Sequence, residues 1–289
     1  MNRCLAGFMV ALAMMTGSTA ARADGLDIHG FLDVSMKNAY ITPRGLHVVN
    51  DGVTVQVLNG LVLGLHNAPE ETLSGVSMVF GTWSDIATEQ HDPSVGAFNE
   101  FDWFVGLNFQ LAKRWTLGAQ YVEFISPPNN FKTERNLEFS LNFDDAVKDR
   151  SWSIQPYVKL FWAISGDSTV VTGKRGGTFD VEIGAKPNVS FDLFGLNANL
   201  SAPTWITVGP DSFWGGTENV GVLSTGLSLK LPLTFIPQRL GNWYTAVGVQ
   251  YYALLNDQLR LAQQIIGTVD PLNDKKNVWV GSFSIGMGF

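Results

Sequence analysis

The side chains able to do chemistry in this sequence are few and scattered. His29, His47, His66 and His91 are the only imidazoles. Asp27, His29 and Asp33 share the parity of one alternating segment, so all three fall on one face of a strand. A general base oriented by a carboxylate can be built from such parts, and a hydrogen-bonding wall residue is the plainer use of the same histidine. No His-x-Ser pair and no Gly-x-Ser-x-Gly nucleophile elbow occurs in the sequence. No pair of histidines or acids has metal-ligand spacing, so the expectation is no metal and no cofactor. Gly176-Gly177 opens a strand rather than a helix, which removes the usual anion cradle at a helix N-terminus. Asp85, Glu89, Asp144-Asp145 and Asp211 fall in expected connectors, where solvated charge is the ordinary explanation.

More telling is a set of charges that alternation sends to one side of the strands. Asp27, Asp33, Glu100, Asp102, Glu138, Asp180 and Glu182 face the same way as Lys37, Lys159, Lys186 and Lys230. An isolated ion out of water is too costly to keep, so these groups must be hydrated or paired. Water would hydrate them in a channel, where the acidic excess favours cations or neutral polar solutes. Pairing would instead fill the space with salt bridges, for example Lys159 across to Asp180 or Glu182.

The elements that must position these groups are strands of about eleven residues. At the C-terminus Trp279, Phe283, Ile285, Met287 and Phe289 share one parity and Ser282, Ser284, Gly286 and Gly288 the other. A period of two puts the greasy and small sets on opposite faces, as in a membrane barrel whose outside meets hydrocarbon and whose inside meets water. The same pattern predicts strands near 26–39, 53–66, 73–84, 98–111, 114–125, 133–143, 152–163, 178–190, 195–206, 220–231, 243–254 and 277–289. The fold class is therefore all-β, an antiparallel up-and-down transmembrane barrel of about twelve strands. Connectors 85–97, 164–177, 207–219 and 255–276 read as extracellular loops, and the alternate connectors are mostly shorter. Trp115, Trp152 and Trp243 at one end of their strands, with Trp162 and Trp279 at the other, read as two aromatic girdles.

The ends of the chain fix its destination. Arg3 precedes an apolar run from Leu5 to Met15, and Ala21-Arg22-Ala23 offers a cleavage site, so residues 1–23 read as a signal peptide and 24–289 as one barrel domain. Cys4, the only cysteine, lies in the removed segment, leaving no disulfide to the mature chain. Losing Arg3 and Arg22 leaves 17 basic against 26 acidic residues, which makes nucleic acid an unsuitable partner. The expected partners are outer-membrane lipid, the barrel-assembly machinery through the last strand and its terminal Phe289, and a small polar solute.

Asn38-Ala39-Tyr40-Ile41-Thr42-Pro43-Arg44-Gly45, with Asp51-Gly52-Val53 and Gln56, resembles the Tyr-x-x-Arg-Gly signature of a family of proteobacterial conserved hypothetical proteins, outer-membrane barrels without assigned activity. The spacing here is one residue longer. Glu100-Phe101-Asp102, Gly176-Gly177-Thr178-Phe179 with Glu182, and Gly241-Asn242-Trp243 extend the resemblance in short pieces. It implies the Gram-negative outer membrane and a porin-like architecture, and no chemistry. Within the motif, Arg44 reads as a clamp tying its loop to an inward acid, or else as a pore-mouth residue with Tyr40. The functional expectation is a narrow passive channel for small polar or cationic solutes. A structural or surface-interaction barrel with a lumen closed by salt bridges or a loop is the alternative, and a lipid-modifying enzyme is a further one.

Overall fold

A computed structural model describes residues 27–89, 96–166, 176–265, 270 and 272–289. The signal-peptide reading and His91 lie outside the described residues. Twelve antiparallel strands span the barrel: β1 (Asp27–Lys37), β2 (Thr54–Asn67), β3 (Leu73–Ala87), β4 (Phe98–Leu111), β5 (Trp115–Ile125), β6 (Glu134–Phe143), β7 (Trp152–Ser153 and Pro156–Ser165), β8 (Thr178–Ala185 and Asn188–Leu193), β9 (Leu196–Ser201 and Thr204–Val208), β10 (Val220–Pro232), β11 (Asn242–Leu254) and β12 (Asn277–Gly288). Each pairs with its sequence neighbour, and β12 returns to β1 in the register Phe31 to Gly288 through Lys37 to Ser282, so no sheet edge is left open. All twelve fall where the alternation predicts them.

The seam is finished by Phe289 itself. Its backbone N–H donates to the Gly30 carbonyl at 3.0 Å, and the Gly30 N–H donates back to the Phe289 carbonyl at 3.0 Å. The Phe289 ring lies over Gly30, in the space a side chain there would need. Replacing Gly30 with Leu should therefore push the ring off the seam, at a cost of about 1–3 kcal/mol for overpacking. A lower melting temperature of the heat-modifiable form on gels would show it, and an unchanged one would mean that the ring does not hold the closure.

Outward positions are apolar and exposed, among them Leu61, Phe80, Leu107, Phe139, Ile183, Val247 and Ile285. Trp115 and Trp152 project at the end of the short turns, and Trp162 and Trp279 near the other end. Trp243 is half-buried, its ring N–H donating to the Leu240 carbonyl at 2.8 Å. At the short-turn end, β8 and β9 meet through Phe194 and Gly195 alone, with φ of 54° and 80°. Two positive φ values define the hairpin turn that follows strand twist, and glycine takes one of them without strain.

Three neighbouring strands depart from the continuous runs the sequence suggests. β7 breaks at 154–155, β8 at 186–187 and β9 at 202–203, each next to or at a proline: Pro156, Pro187 and Pro203. Proline has no N–H for the ladder and is confined within sheets to such irregularities. The breaks lie side by side, since Ala185 pairs with both Pro156 and Thr204, and Asn188 with both Ser153 and Ser201. Each break takes two residues, so inside and outside faces resume in phase.

Candidate functional site

The loop between β1 and β2 turns back into the barrel. It forms a small hairpin, Tyr40–Ile41 against His47–Val49, and Tyr40, Ile41, Arg44, Leu46, His47 and Val49 are all at most 3% exposed. Its apolar side chains explain this: Ile41 and Leu46 join a core with Trp205, Trp214, Tyr252, Leu254 and Leu259, while Tyr40 and Val49 join another with Phe31, Leu58, Trp83 and Phe104. Two short helices, α1 (Asp211–Trp214) and α2 (Asp257–Gln263), supply Trp214 and Leu259 from the other long loops. Loop packing thus carries the β1–β2 hairpin into the lumen at the long-loop end.

Arg44 is the polar anchor of this plug. Its guanidinium carbon stands 4.3 Å from the Phe161 ring centroid and 5.1 Å from that of Phe124. Nη2 lies 3.7 Å from Glu138 Oε1, and Nε lies 3.5 Å from Asp180 Oδ1. A planar, weakly hydrated cation is suited to such a sandwich of rings flanked by carboxylates. Glu100 and Asp102 are close enough to feel the same charge. Glu100 accepts the Tyr40 hydroxyl at 2.8 Å, and the Tyr40 and Trp83 rings are 5.3 Å apart. Both Tyr40 and Arg44 therefore bind their loop to the inner wall.

The other charges singled out from sequence are placed as follows. Glu182 accepts the Tyr157 hydroxyl at 2.7 Å and stands directly across from Lys159 in the ladder. Glu138 also accepts an N–H of Gln120 at 2.7 Å. Lys37 donates to Gln56, Asp33 accepts the Tyr244 hydroxyl at 2.7 Å, and the Lys230 ammonium sits 3.8 Å from the Tyr244 ring centroid. Asp27 is exposed at the rim, and His29 Nε2 lies 2.9 Å from it. Lys186 stands at the aligned strand breaks, its ammonium 5.4 Å from the Tyr157 ring centroid. The acids thus gather around the plug, while three lysines, Lys37, Lys186 and Lys230, line a separate cavity of about 570 Å³ with Asp33.

One position departs from expectation. Asp85 is fully buried rather than a solvated connector residue: β3 continues to Ala87, and Asp85 accepts from Thr54, from Gln56 at 3.0 Å and from Asn99 at 2.9 Å. The signal was the continued parity of Trp83, Asp85 and Ala87, all buried. His47, in the β1–β2 loop, is buried as well. It is 1% exposed, with Nδ1 at 3.2 Å from Gln263 Oε1 of α2.

Gly45 turns the plug's tip. Its φ is +92°, and an added Cβ would lie 2.7 Å from Leu259 Cδ1 and 3.1 Å from Val222 Cβ. Gly45→Val should undock the loop through both backbone strain and crowding, at a cost of about 1–3 kcal/mol for the strain alone. Faster tryptic cleavage after Arg44 in the folded barrel is the expected readout, and wild-type protection would contradict the packing.

The fold and this site define a closed twelve-stranded transmembrane β-barrel with its first loop packed inside the lumen. No protein-family model matches the chain, and no curated protein matches it in sequence. Among solved structures it is similar to a bacterial polysaccharide outer membrane secretin, at 7% identity and a TM-score of 0.48, covering 91% of this chain and 97% of that one. It is also similar to an outer membrane channel from Pseudomonas putida F1, at 10% identity and a TM-score of 0.44, covering 93% and 100% of the two chains. The transport unit of the autotransporter AIDA-I from Escherichia coli matches at 11% identity and a TM-score of 0.44, covering 98% and 97%.

Proposed function

We propose that the chain is an outer-membrane barrel that acts as a narrow passive channel for small polar or cationic solutes and rests closed, with the β1–β2 loop as its gate. The exposed apolar belt supports residence in a bilayer, and the short turns with the C-terminus at one end support a periplasmic placing of that end. The observation that carries the gate is the plug's construction: one guanidinium holds a largely apolar loop against buried carboxylates, with the Tyr40 hydroxyl on Glu100 beside it. Lifting the loop would uncover Glu100, Asp102, Glu138 and Asp180 on the lumen wall along β4, β6 and β8, a cluster of acids that favours cations. The Tyr-x-x-x-Arg-Gly segment that carries the family resemblance is the tip of this loop, so the motif's role on this reading is closure.

A permanently closed structural barrel is the second reading, favoured by the buried cluster of Phe31, Leu58, Val79, Trp83 and Phe104, which fills one side of the lumen. One experiment separates them. Residues 39–49 are replaced by a short Gly-Ser linker and the heat-modifiable barrel is reconstituted in a planar bilayer. The channel reading expects steady, cation-preferring conductance where the intact protein shows brief openings, and a silent variant would leave the structural reading.

A further inference from the structure

Below the plug, the lumen keeps a cavity of about 570 Å³ between β8–β12 and β1, reaching from Asn197 and Asn242 at the short-turn end to Tyr252 and Val280 under the loop. Sites for small organic molecules span roughly 300–1,000 Å³. The lining is mixed, with more apolar than polar surface, and the charge it carries is the reverse of the belt around Arg44: Lys37, Lys186 and Lys230 stand with Asp33. The aligned breaks of β7, β8 and β9 build one wall. Strand irregularities re-aim side chains and recur beside functional sites, and here they set Lys186 and Gln155 at the cavity.

The Lys186 ammonium is out of solvent and makes no hydrogen bond. Such a cation is costly to keep, and an anion arriving in the cavity would offset that cost. Lys230 projects from β10, one strand beyond β9 and so roughly 10 Å across the wall from β8. Between them run three amides, Asn188, Asn199 and Gln250, whose N–H groups donate to the wall and whose carbonyl oxygens can accept from hydroxyl groups. Asn188 holds Ser153 at 2.8 Å and Gln250 holds Ser224 at 2.8 Å, which fixes their orientation.

We propose that this cavity binds a small polyhydroxylated organic anion entering from the short-turn end, with Lys186 and Lys230 on its charge and Asn188, Asn199 and Gln250 on its hydroxyls. The belt of acids beyond it opposes onward passage, so the anion is a ligand of the barrel and not a solute it transports. The site requires no movement of the plug and stands apart from the channel reading.

Three probes share one hydroxylated carbon chain and differ in charge: gluconate, sorbitol and N-methylglucamine. Titration calorimetry on the full mature chain in detergent should show gluconate binding at least tenfold more tightly than sorbitol and no binding of N-methylglucamine. Lys186→Gln and Lys230→Gln should each weaken gluconate tenfold or more with heat-modifiable migration retained, and Lys186→Arg should preserve binding. Absence of gluconate binding to the wild type, equal affinity for gluconate and sorbitol, tighter N-methylglucamine, or glutamine variants that bind like wild type would each overturn the site. Failure here with conductance in the loop-replaced barrel removes this site alone, and binding to a barrel that stays silent removes the channel alone.

Discussion

On the channel reading, Arg44→Ala should convert a barrel expected to open briefly into one that conducts continuously. The side chain it removes is 3% exposed and is the cation placed between Glu138 and Asp180. Truncating one partner of a buried ion pair leaves the other charge uncompensated, at a cost of about 3–5 kcal/mol. Two routes relieve that penalty: the carboxylates take up protons, or the loop leaves and water reaches them. Only the second requires no change at the acids, and it gives up the packing of Ile41, Leu46 and Val49 in exchange. If even 3 kcal/mol falls on the docked state, the undocked population rises by roughly a hundredfold. Arg44→Lys should lie between, because an ammonium keeps the charge but loses the planar stack on Phe161 and Phe124. Single-channel open times in a planar bilayer are the measurement. A variant as quiet as wild type, with its heat-modifiable migration intact, would show that Arg44 is not what holds the gate.

The barrel was legible in the sequence because a membrane strand must alternate, and alternation is insensitive to nearly everything else. Strand count, inward and outward faces and the closing role of the last strand all follow from it. The same insensitivity hides the aligned breaks at 154–155, 186–187 and 202–203: a two-residue interruption returns in phase, and only Pro156, Pro187 and Pro203 mark it. Burial of the first loop was hidden for a different reason. Its partners, α2 and the walls at β6 and β8, come from distant parts of the chain. A local cue did exist, since Ala39, Tyr40, Ile41, Leu46, Val48 and Val49 make this loop too apolar to belong in water. The two zones of charge were illegible from parity, which reports the side of the wall and not the height along it. Height decides whether Glu138 meets a guanidinium and whether Lys230 meets a cavity.

Acidification should open the gate between about pH 6.5 and about pH 4, through His47. Burial holds the His47 imidazole down to about 4 from an ordinary 6.5; the contact with Gln263 opposes that shift and the charge of Lys275 adds to it. The docked loop therefore carries a neutral ring at pH 7, with the proton on Nδ1 where it can reach Gln263 Oε1. In the undocked loop the ring is solvated and takes a proton near 6.5. Undocked loops thus bind more protons throughout this window, so docking is at full strength above it and weakens as pH falls through it. The separation of the two values corresponds to a loss on the order of 3 kcal/mol by the bottom of the window. Other ionisable groups stand near the plug, so the imidazole's share has to be isolated. His47→Phe keeps a ring of similar size with nothing to titrate, and should remove the rise in open probability centred between pH 4 and 6.5 while sparing any acid effect at the belt. An unchanged pH profile in that variant would assign the response to the carboxylates and leave His47 as packing alone.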